Sequence, residues 1–354
     1  MGNLQRGYFS FKKLEYLEEN SLVELENIIN YGDFLFNTRN TLELVGKGAT
    51  WTGVNGQYAF NSNIARFKFD GIDTIFFNYL YNTQQMLSQV HARAVGTTSV
   101  AAIYPRDLNS LLYYIPKLEE QQKIGSFLKQ LDNLITQNEH KLDLLKQLKQ
   151  AYLQQIFSQE LRFAGFIDTW EQRKIEELGD VVRTGINPQN YLKEQFAEYS
   201  MPAYDDGQRP QIVLGSSMQS SRLTISGSVL LINKLNVRQK RVWLVSNPLE
   251  NSVASGEFMP FTSSNVDLSF MRQLILSDKT TRDFEAMSSG TSNSQKRITP
   301  TDFLNYVISV PASKIEQTRI GGIFDEMDKL ITLHQKKLNL LKQQKQAYLQ
   351  KMFI

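Results

Sequence analysis

The sequence predicts an α+β protein: two mixed α/β modules of similar plan, joined by two long helices that pack on each other as a coiled coil, with pseudo-twofold organisation. Three observations predict it. Residues 120–157 and 316–353 are one helical sequence written twice, identical at 21 of 38 positions at an offset of 196 and sharing KQAYLQ at 149–154 and 345–350. Both copies carry a stripe at alternating steps of four and three, apart from one skipped site at Lys149 in the first and its equivalent in the second: Leu131, Ile135, Asn138, Leu142, Leu145 and Tyr152 in one, Met327, Ile331, His334, Leu338, Leu341 and Tyr348 in the other. The landmarks before each helix also repeat, for at an offset of 195 Gly32 falls on Gly227, Pro105 on Pro300 and Pro116 on Pro311. A repeat at a domain-sized interval means two similar halves, which commonly form a pseudo-twofold object.

In order along the chain, residues 1–115 form the first module. A strand is expected at 34–36 after the Gly32-Asp33 turn, and one amphipathic helix over TIFFNYLYNTQQML, with aromatics inward. Phe76, Tyr113 and Tyr114 are assigned to the core rather than to base stacking. Residues 116–157 form the first long helix: Pro116 marks its start, and no Gly or Pro follows Gly125 until Gly165. Residues 158–310 are a connector (158–170) and the second module, opening at EELGD, with strands in ISGSVLLINK and VWLV, and ending at VISVP. Residues 311–354 hold the second long helix, from Lys314 to Phe353. A helix of about 38 residues spans roughly 57 Å, which suits a rigid spacer holding two modules at a set distance. Asn138 and His334 share one stripe position, where they fix register, bond across the pair or are satisfied locally.

Composition narrows the class. The 354 residues are 41% hydrophobic and 21% charged, enough for two cores. No run of 18 or more apolar residues occurs and the start MGNLQRGYFS lacks a signal pattern, so a soluble cytoplasmic protein with no membrane association is expected. Having no cysteine, the chain has no disulfides, thiolate metal sites or cysteine catalysis. Lys and Arg number 39 against 36 Asp and Glu, a net +3, so any nucleic-acid affinity must come from local patches.

Several motifs in fixed order carry a family resemblance. They are two segments of the form P-x(3,4)-EQ-x-x-I-G leading into LIT…LLK…KQAYLQ-x-x-F; Gly32-Asp33 before a strand; the G-T-S turns at Gly96, Thr97, Ser99 and at Gly290, Thr291, Ser292; and the opening Trp170, Lys174, Gly179, Asp180. Over nearly its whole length the chain resembles the DNA-specificity subunit of type I restriction-modification systems. The resemblance implies two target recognition domains, each reading half of a split site on double-stranded DNA, with the two conserved helices antiparallel. It implies a subunit that docks modification (methyltransferase) and restriction (translocase and nuclease) subunits and does no chemistry itself. S-adenosylmethionine, ATP and Mg are expected in those partners only. The residues agree, since the chain has no P-loop, no NPPY- or DPPY-type methylation motif and no GxGxxG, and its three histidines, His91, His140 and His334, have no metal-ligand spacing. The alternative from another class is a coiled-coil scaffold that binds proteins and never touches DNA.

Bases are read by side chains at their edges, while Lys and Arg on phosphates fix position, and both demands favour polar, basic loops after strands. In the first module these are Arg39 and Asn40 in NTRNT, with Arg93 and Thr97 near GTTS. The second offers Lys234, Asn236, Arg238, Lys240 and Arg241 in NKLNVRQKR, and Ser292, Asn293, Gln295, Lys296 and Arg297 in TSNSQKR. The plain alternatives are a solvated hairpin for the former and a cap on the I-T-P-T-D turn for the latter. Two readers on a rigid spacer meet one face of a duplex when their separation matches about 34 Å or a multiple.

The first copy departs from the family pattern. At an offset of 195 Met1 falls on Phe196, which leaves residues 158–195, with Trp170 and ELGD, without a counterpart. A first module shortened by roughly 38 residues is expected to be unstable or altered in specificity, because missing strands expose a sheet edge. A recombined or split variant, an artificially shortened chain, and a form completed by another polypeptide all fit this pattern.

Overall fold

The two repeated sequences form continuous helices, Leu118–Phe157 and Lys314–Met352. The computed structural model describes residues 2–12, 14–18, 23–290 and 295–353 and divides into two units, one of Met1–Lys141 with His334–Ile354 and one of Leu142–Leu333. Each unit thus contains a stretch of both helices. In the first, Asp132 pairs with Lys345 at 2.5 Å, Glu139 with Lys342 at 2.7 Å, and Phe127 meets the edge of Tyr348. Numbers rise along one helix as they fall along the other, so the pair is antiparallel. In the second unit Lys149 pairs with Asp328 at 2.5 Å and Phe157 stacks on Phe324. The Lys345–Asp132 and Lys149–Asp328 pairs are one contact with the two copies interchanged. Of the stripe, Leu131, Ile135, Asn138, Leu142, Met327 and Leu338 are buried, Leu145, Tyr152, Ile331, His334 and Leu341 are half-buried, and Tyr348 is exposed. Asn138 bonds within its own helix, Nδ2 to Leu134 O at 2.7 Å, and His334 Nδ1 is buried with no partner among the described residues.

In the first unit the antiparallel strands Gly48–Thr50, Phe34–Asn37 and Ile64–Phe67 form a three-stranded sheet with Phe34–Asn37 central. Alternation sends Phe34 and Phe36 to a core with Phe76, Phe77, Tyr81 and Val90, and Leu35 to the opposite face with Leu4, Ile29 and Trp51. The single helix expected over TIFFNYLYNTQQML is two, Thr74–Tyr81 and Gln84–Ala92. Thr83 is the reason: its hydroxyl takes the Met86 N–H as an N-cap, a local bond that competes with helix continuation. A second correction concerns Tyr114, which is 91% exposed rather than in the core, while Tyr113 packs its ring on Phe77.

The second unit has a four-stranded sheet in the order Val242–Val245, Val229–Asn233, Phe258–Thr262, Asp180–Val181. A separate five-stranded sheet is built from Gly185–Ile186, Gln195–Tyr199, Gln211–Leu214, Arg222–Thr224 and Ser252–Ala254. Strand Val307–Val310 pairs antiparallel with Glu171–Lys174. The I-x-P-x-D segments are short helices, Pro105–Leu108 and Pro300–Asn305. The core contacts also correct the alignment of the strands. Leu230 and Ile232 enter the core with Phe270, as Phe34 and Phe36 enter theirs with Phe76, so the strand offset is 196. The Gly32 to Gly227 match is one residue out, and in a strand one residue turns every side chain to the other face.

The EQ-x-x-I-G motifs tie each module to its long helix. Gln121, 1% exposed, donates from Nε2 to Pro116 O at 2.9 Å and accepts at Oε1 from the Asp73 N–H at 3.0 Å. Gln317, 4% exposed, does the same with Pro311 O at 2.8 Å and the Asp267 N–H at 2.9 Å. Asp73 and Asp267 cap the helices that begin at Thr74 and Leu268. Four residues after each glutamine, Gly125 and Gly321 bring the long helix against those N-termini. A Cβ there would lie 2.8 Å from Phe76 N and 2.7 Å from Phe270 N.

Candidate nucleic-acid interface

In the first unit Arg39 and Asn40 continue the line of the central strand. They pair with Ala101 and Ala102, which pair in turn with Val95 and Gly96. The GTTS turn closes this hairpin, with Thr97 N–H on Val100 O at 2.9 Å and Leu42 N–H on Thr98 O at 3.2 Å. Gly96 has φ 137°, and a Cβ there would fall 2.3 Å from Val100 O, so the turn requires glycine. Arg39 and Asn40 therefore lie in one small sheet with Thr97 in the turn that closes it, and Arg39 is exposed with no side-chain partner among the described residues. Arg93 lies outside this group. Its guanidinium is occupied by Ser110 Oγ, Ser110 O and Gln89 O, each at 2.8 Å, which fastens the end of helix Gln84–Ala92 to the chain after Leu108. Its bonds give it a structural role at that helix end.

The second unit repeats the device. Leu235 and Ser289 each bridge to Arg297, Asn236 N–H donates to Lys296 O at 2.9 Å, and Ile298 N–H to Lys234 O at 3.0 Å. Two loops more than fifty residues apart, NKLNVRQKR and the end of TSNSQKR, are thus brought side by side. Ser292 and Asn293 lie outside the described residues, while Gln295 is exposed beside Lys296 and Arg297. At the offset of 196 the two devices share a signature that the sequence reading missed: Asn37-x-x-Asn40 and Asn233-x-x-Asn236. Asn233 is buried and its Oδ1 takes the Leu235 N–H at 2.9 Å.

The basic loop is largely neutralised from within. Arg241 makes two bonds to Asp205 at 2.6 and 2.9 Å, Lys240 meets Asp278 at 2.5 Å, Arg297 meets Glu257 at 2.7 Å and Arg238 meets Glu285. Hydrogen bonds from Arg241, Lys240 and Arg238 hold the carboxyls of Asp205, Asp278 and Glu285 below their ordinary values. Folded-state values that are depressed add stability above the unfolded carboxylate range, and that stability is lost as pH falls through the folded values. The loop is therefore expected to loosen only below about pH 4, measurable as a fall in exchange protection of amides 234–241. Lys234 has no carboxylate partner among the described residues.

Asn236 and Lys240 sit in the left-handed region, at φ 52° and 50°, on either side of the turn Val237–Gln239. Such residues cost about 1 kcal/mol each and persist where their surroundings hold them. Here the Gln239 N–H donates to Asn236 O and the Lys240 N–H to Val237 O, each at 3.0 Å. The turn presents Arg238 and Gln239 outward, both exposed. Gln239 was not among the candidates from sequence, yet its exposed amide suits paired donor and acceptor contact with an adenine edge.

Fold and site together define a tandem of two mixed α/β modules, each gripped by a long helix through a buried glutamine and each presenting a polar strand end. The type I restriction modification DNA specificity domain profile matches residues 10–147 and 167–343. The chain belongs to that family. A Methanocaldococcus jannaschii protein, provisionally named type I restriction enzyme MjaX specificity subunit, is 28% identical over 155 residues, which are 41% of this chain and 35% of that protein. The match thus spans about a third of that relative's length. Among solved structures, the S subunit of a type I restriction-modification system from M. genitalium superposes with a TM-score of 0.63 at 15% identity, covering 92% of this chain and 84% of that one. A chain from a study of complex assembly and conformational transition of the type I R-M system gives 0.50 at 17% identity, covering 92% and 82%. These two similarities concern the fold. Among the described residues no helix is long and apolar enough to cross a membrane.

Proposed function

We propose that this chain is the DNA-specificity subunit of a type I restriction-modification complex, reading a bipartite duplex target with one module per half-site. In this reading it works in the cytoplasm, docks modification and restriction subunits, and leaves methyl transfer from S-adenosylmethionine and ATP-driven, Mg-dependent cleavage to them. The observation that carries the reading is the paired device: in two modules with different surroundings, a strand end with the Asn-x-x-Asn signature lies beside a segment that holds a glycine of positive φ, Gly96 or Gly290, and different polar side chains are presented. Arg39, Asn40 and Thr97 stand in one, and Lys234, Arg238, Gln239 and Gln295 in the other. A kept frame with changed contents is what reading two unlike half-sites asks for.

The test is binding of the chain, purified with its modification partner, to duplexes selected from a random pool, together with mapping of methylated adenines. Selection of a split sequence supports the reading, and retention of DNA with no sequence preference opposes it. Arg39→Ala and Lys234→Ala, which remove cations with no carboxylate partner among the described residues, are each expected to lower the slope of log affinity against log salt by about 0.9. Glu285→Gln frees Arg238 and is expected to steepen that slope by a similar amount. Unchanged slopes in all three variants would remove this loop and the Arg39 strand from the interface.

A further inference from the structure

The two units treat one piece of backbone differently. In the second, Val307–Val310 stands directly before Pro311 and is covered by Glu171–Lys174, with Ile308 opposite Arg173 and Val310 opposite Glu171. The Ile175 N–H donates to Tyr306 O at 3.1 Å, so by the alternation of an antiparallel ladder Ile308 and Val310 turn their backbone bonds toward that partner strand. The connector before this strand wraps the start of the long helix. Arg162 grips Glu316 through two bonds at 3.0 and 2.8 Å, Trp170 Nε1 reaches the same carboxylate at 3.4 Å, and Arg319 lies over the Phe166 ring at 5.3 Å. Glu316 is 2% exposed as a result.

In the first unit the same surface is uncovered among the described residues. Residues 112–115, Leu-Tyr-Tyr-Ile, stand directly before Pro116 and have no strand partner among the described residues. The Gln89 side chain takes both backbone groups of Leu112, accepting from its N–H at 3.0 Å and donating to its carbonyl at 2.8 Å. That is the side of the segment which Tyr113 and Ile115 do not use. The backbone groups of Tyr113 and Ile115, the counterparts of Ile308 and Val310, make no hydrogen bond among the described residues. Leu112 is 78% and Tyr114 91% exposed. Glu120, the counterpart of Glu316 at the helix offset of 196, is exposed with no side-chain partner among the described residues, and Lys123, the counterpart of Arg319, has no ring against it.

We propose that residues 112–127 are a docking surface for an extended segment of a partner polypeptide, which adds as an antiparallel strand to 112–115 and sets an arginine on Glu120. The occupant's chemistry follows from the segment that covers the equivalent surface: an arginine, a tryptophan eight residues on and an arginine three further, as Arg162, Trp170 and Arg173 are spaced. Strand addition supplies main-chain bonds for affinity and leaves selectivity to the charge and the aromatic. An open edge of this kind is a ready template for a further strand. The inference does not depend on the DNA-reading function.

The experiment titrates a fluorescent synthetic peptide of residues 158–178 with the full chain and follows backbone amide exchange. One-to-one saturable binding with new protection at 112–116 is expected. Glu120→Gln in the protein or Arg162→Gln in the peptide should each weaken binding roughly fivefold, and the two together no further. N-methylation of the peptide at Arg173, where the amide faces the edge, should abolish binding, while N-methylation at Gln172 should leave it. No saturable binding, protection confined to 307–310, or binding indifferent to both Glu120→Gln and the Arg173 methyl group would overturn the proposal. Glu120 is on the surface, so its variant tests the contact without challenging the fold.

Discussion

Gln317→Leu is expected to lower the melting temperature of the second unit by on the order of 10 °C, from a loss of about 2–4 kcal/mol. Leucine matches the volume but bonds to nothing. It leaves the Pro311 carbonyl and the Asp267 N–H without partners at the site where the long helix meets the module, and Gln317 is 4% exposed, so little water reaches them. A buried backbone group left unmatched costs about 1–3 kcal/mol, more than the bond contributes while it is made. Gln122→Leu, at an exposed position beside the equivalent Gln121, is the control and should shift melting little. Calorimetry of the two variants checks the claim. Equal melting would mean that the EQ motif is not the clamp its geometry describes.

Gly96→Val is expected to collapse the first module's hairpin and, under the proposed function, to cost at least about tenfold in affinity for that half-site. Two effects add here. At φ 137° a β-branched side chain is strained whatever space it finds, and the Cβ would fall 2.3 Å from a backbone oxygen that cannot swing away. The cost is local because Val95 and Gly96 are exposed strand residues while the core around Phe34 and Tyr81 lies behind them. Circular dichroism should therefore show a folded protein while selection for one half of the split target relaxes. Retained selectivity for both halves would remove the hairpin from the reading surface.

Much of this architecture was legible because its signals are local or exactly periodic. The helix repeat, the stripe and the position of Pro116 follow from spacing and backbone preferences that a short window carries. The failures share a cause in geometry between distant residues. Aligning Gly32 with Gly227 matched a turn residue but slipped the strand by one, and only the cores that Phe34 and Leu230 enter reveal the slip. Arg93 read as a basic group near a turn, and its occupation by Ser110 and Gln89 depends on how a helix end meets a later segment. The cations of NKLNVRQKR read as an open patch, because Asp205, Asp278 and Glu285, which neutralise most of it, arrive from elsewhere in the chain.

By itself, then, the sequence determined the duplicated plan, the two long helices, the turn glycines and the family, since each is written in identity, spacing or conformational preference along the chain. Tertiary structure alone decided which polar groups are open to a partner. Ion pairing and edge pairing depend on distances of a few ångströms between residues far apart in sequence: among the described residues Glu316 is buried under Arg162 while Glu120 has no partner, and Ile308 is paired while Tyr113 is not. Two copies of one motif can therefore be near neighbours in sequence and differ in what they are free to bind.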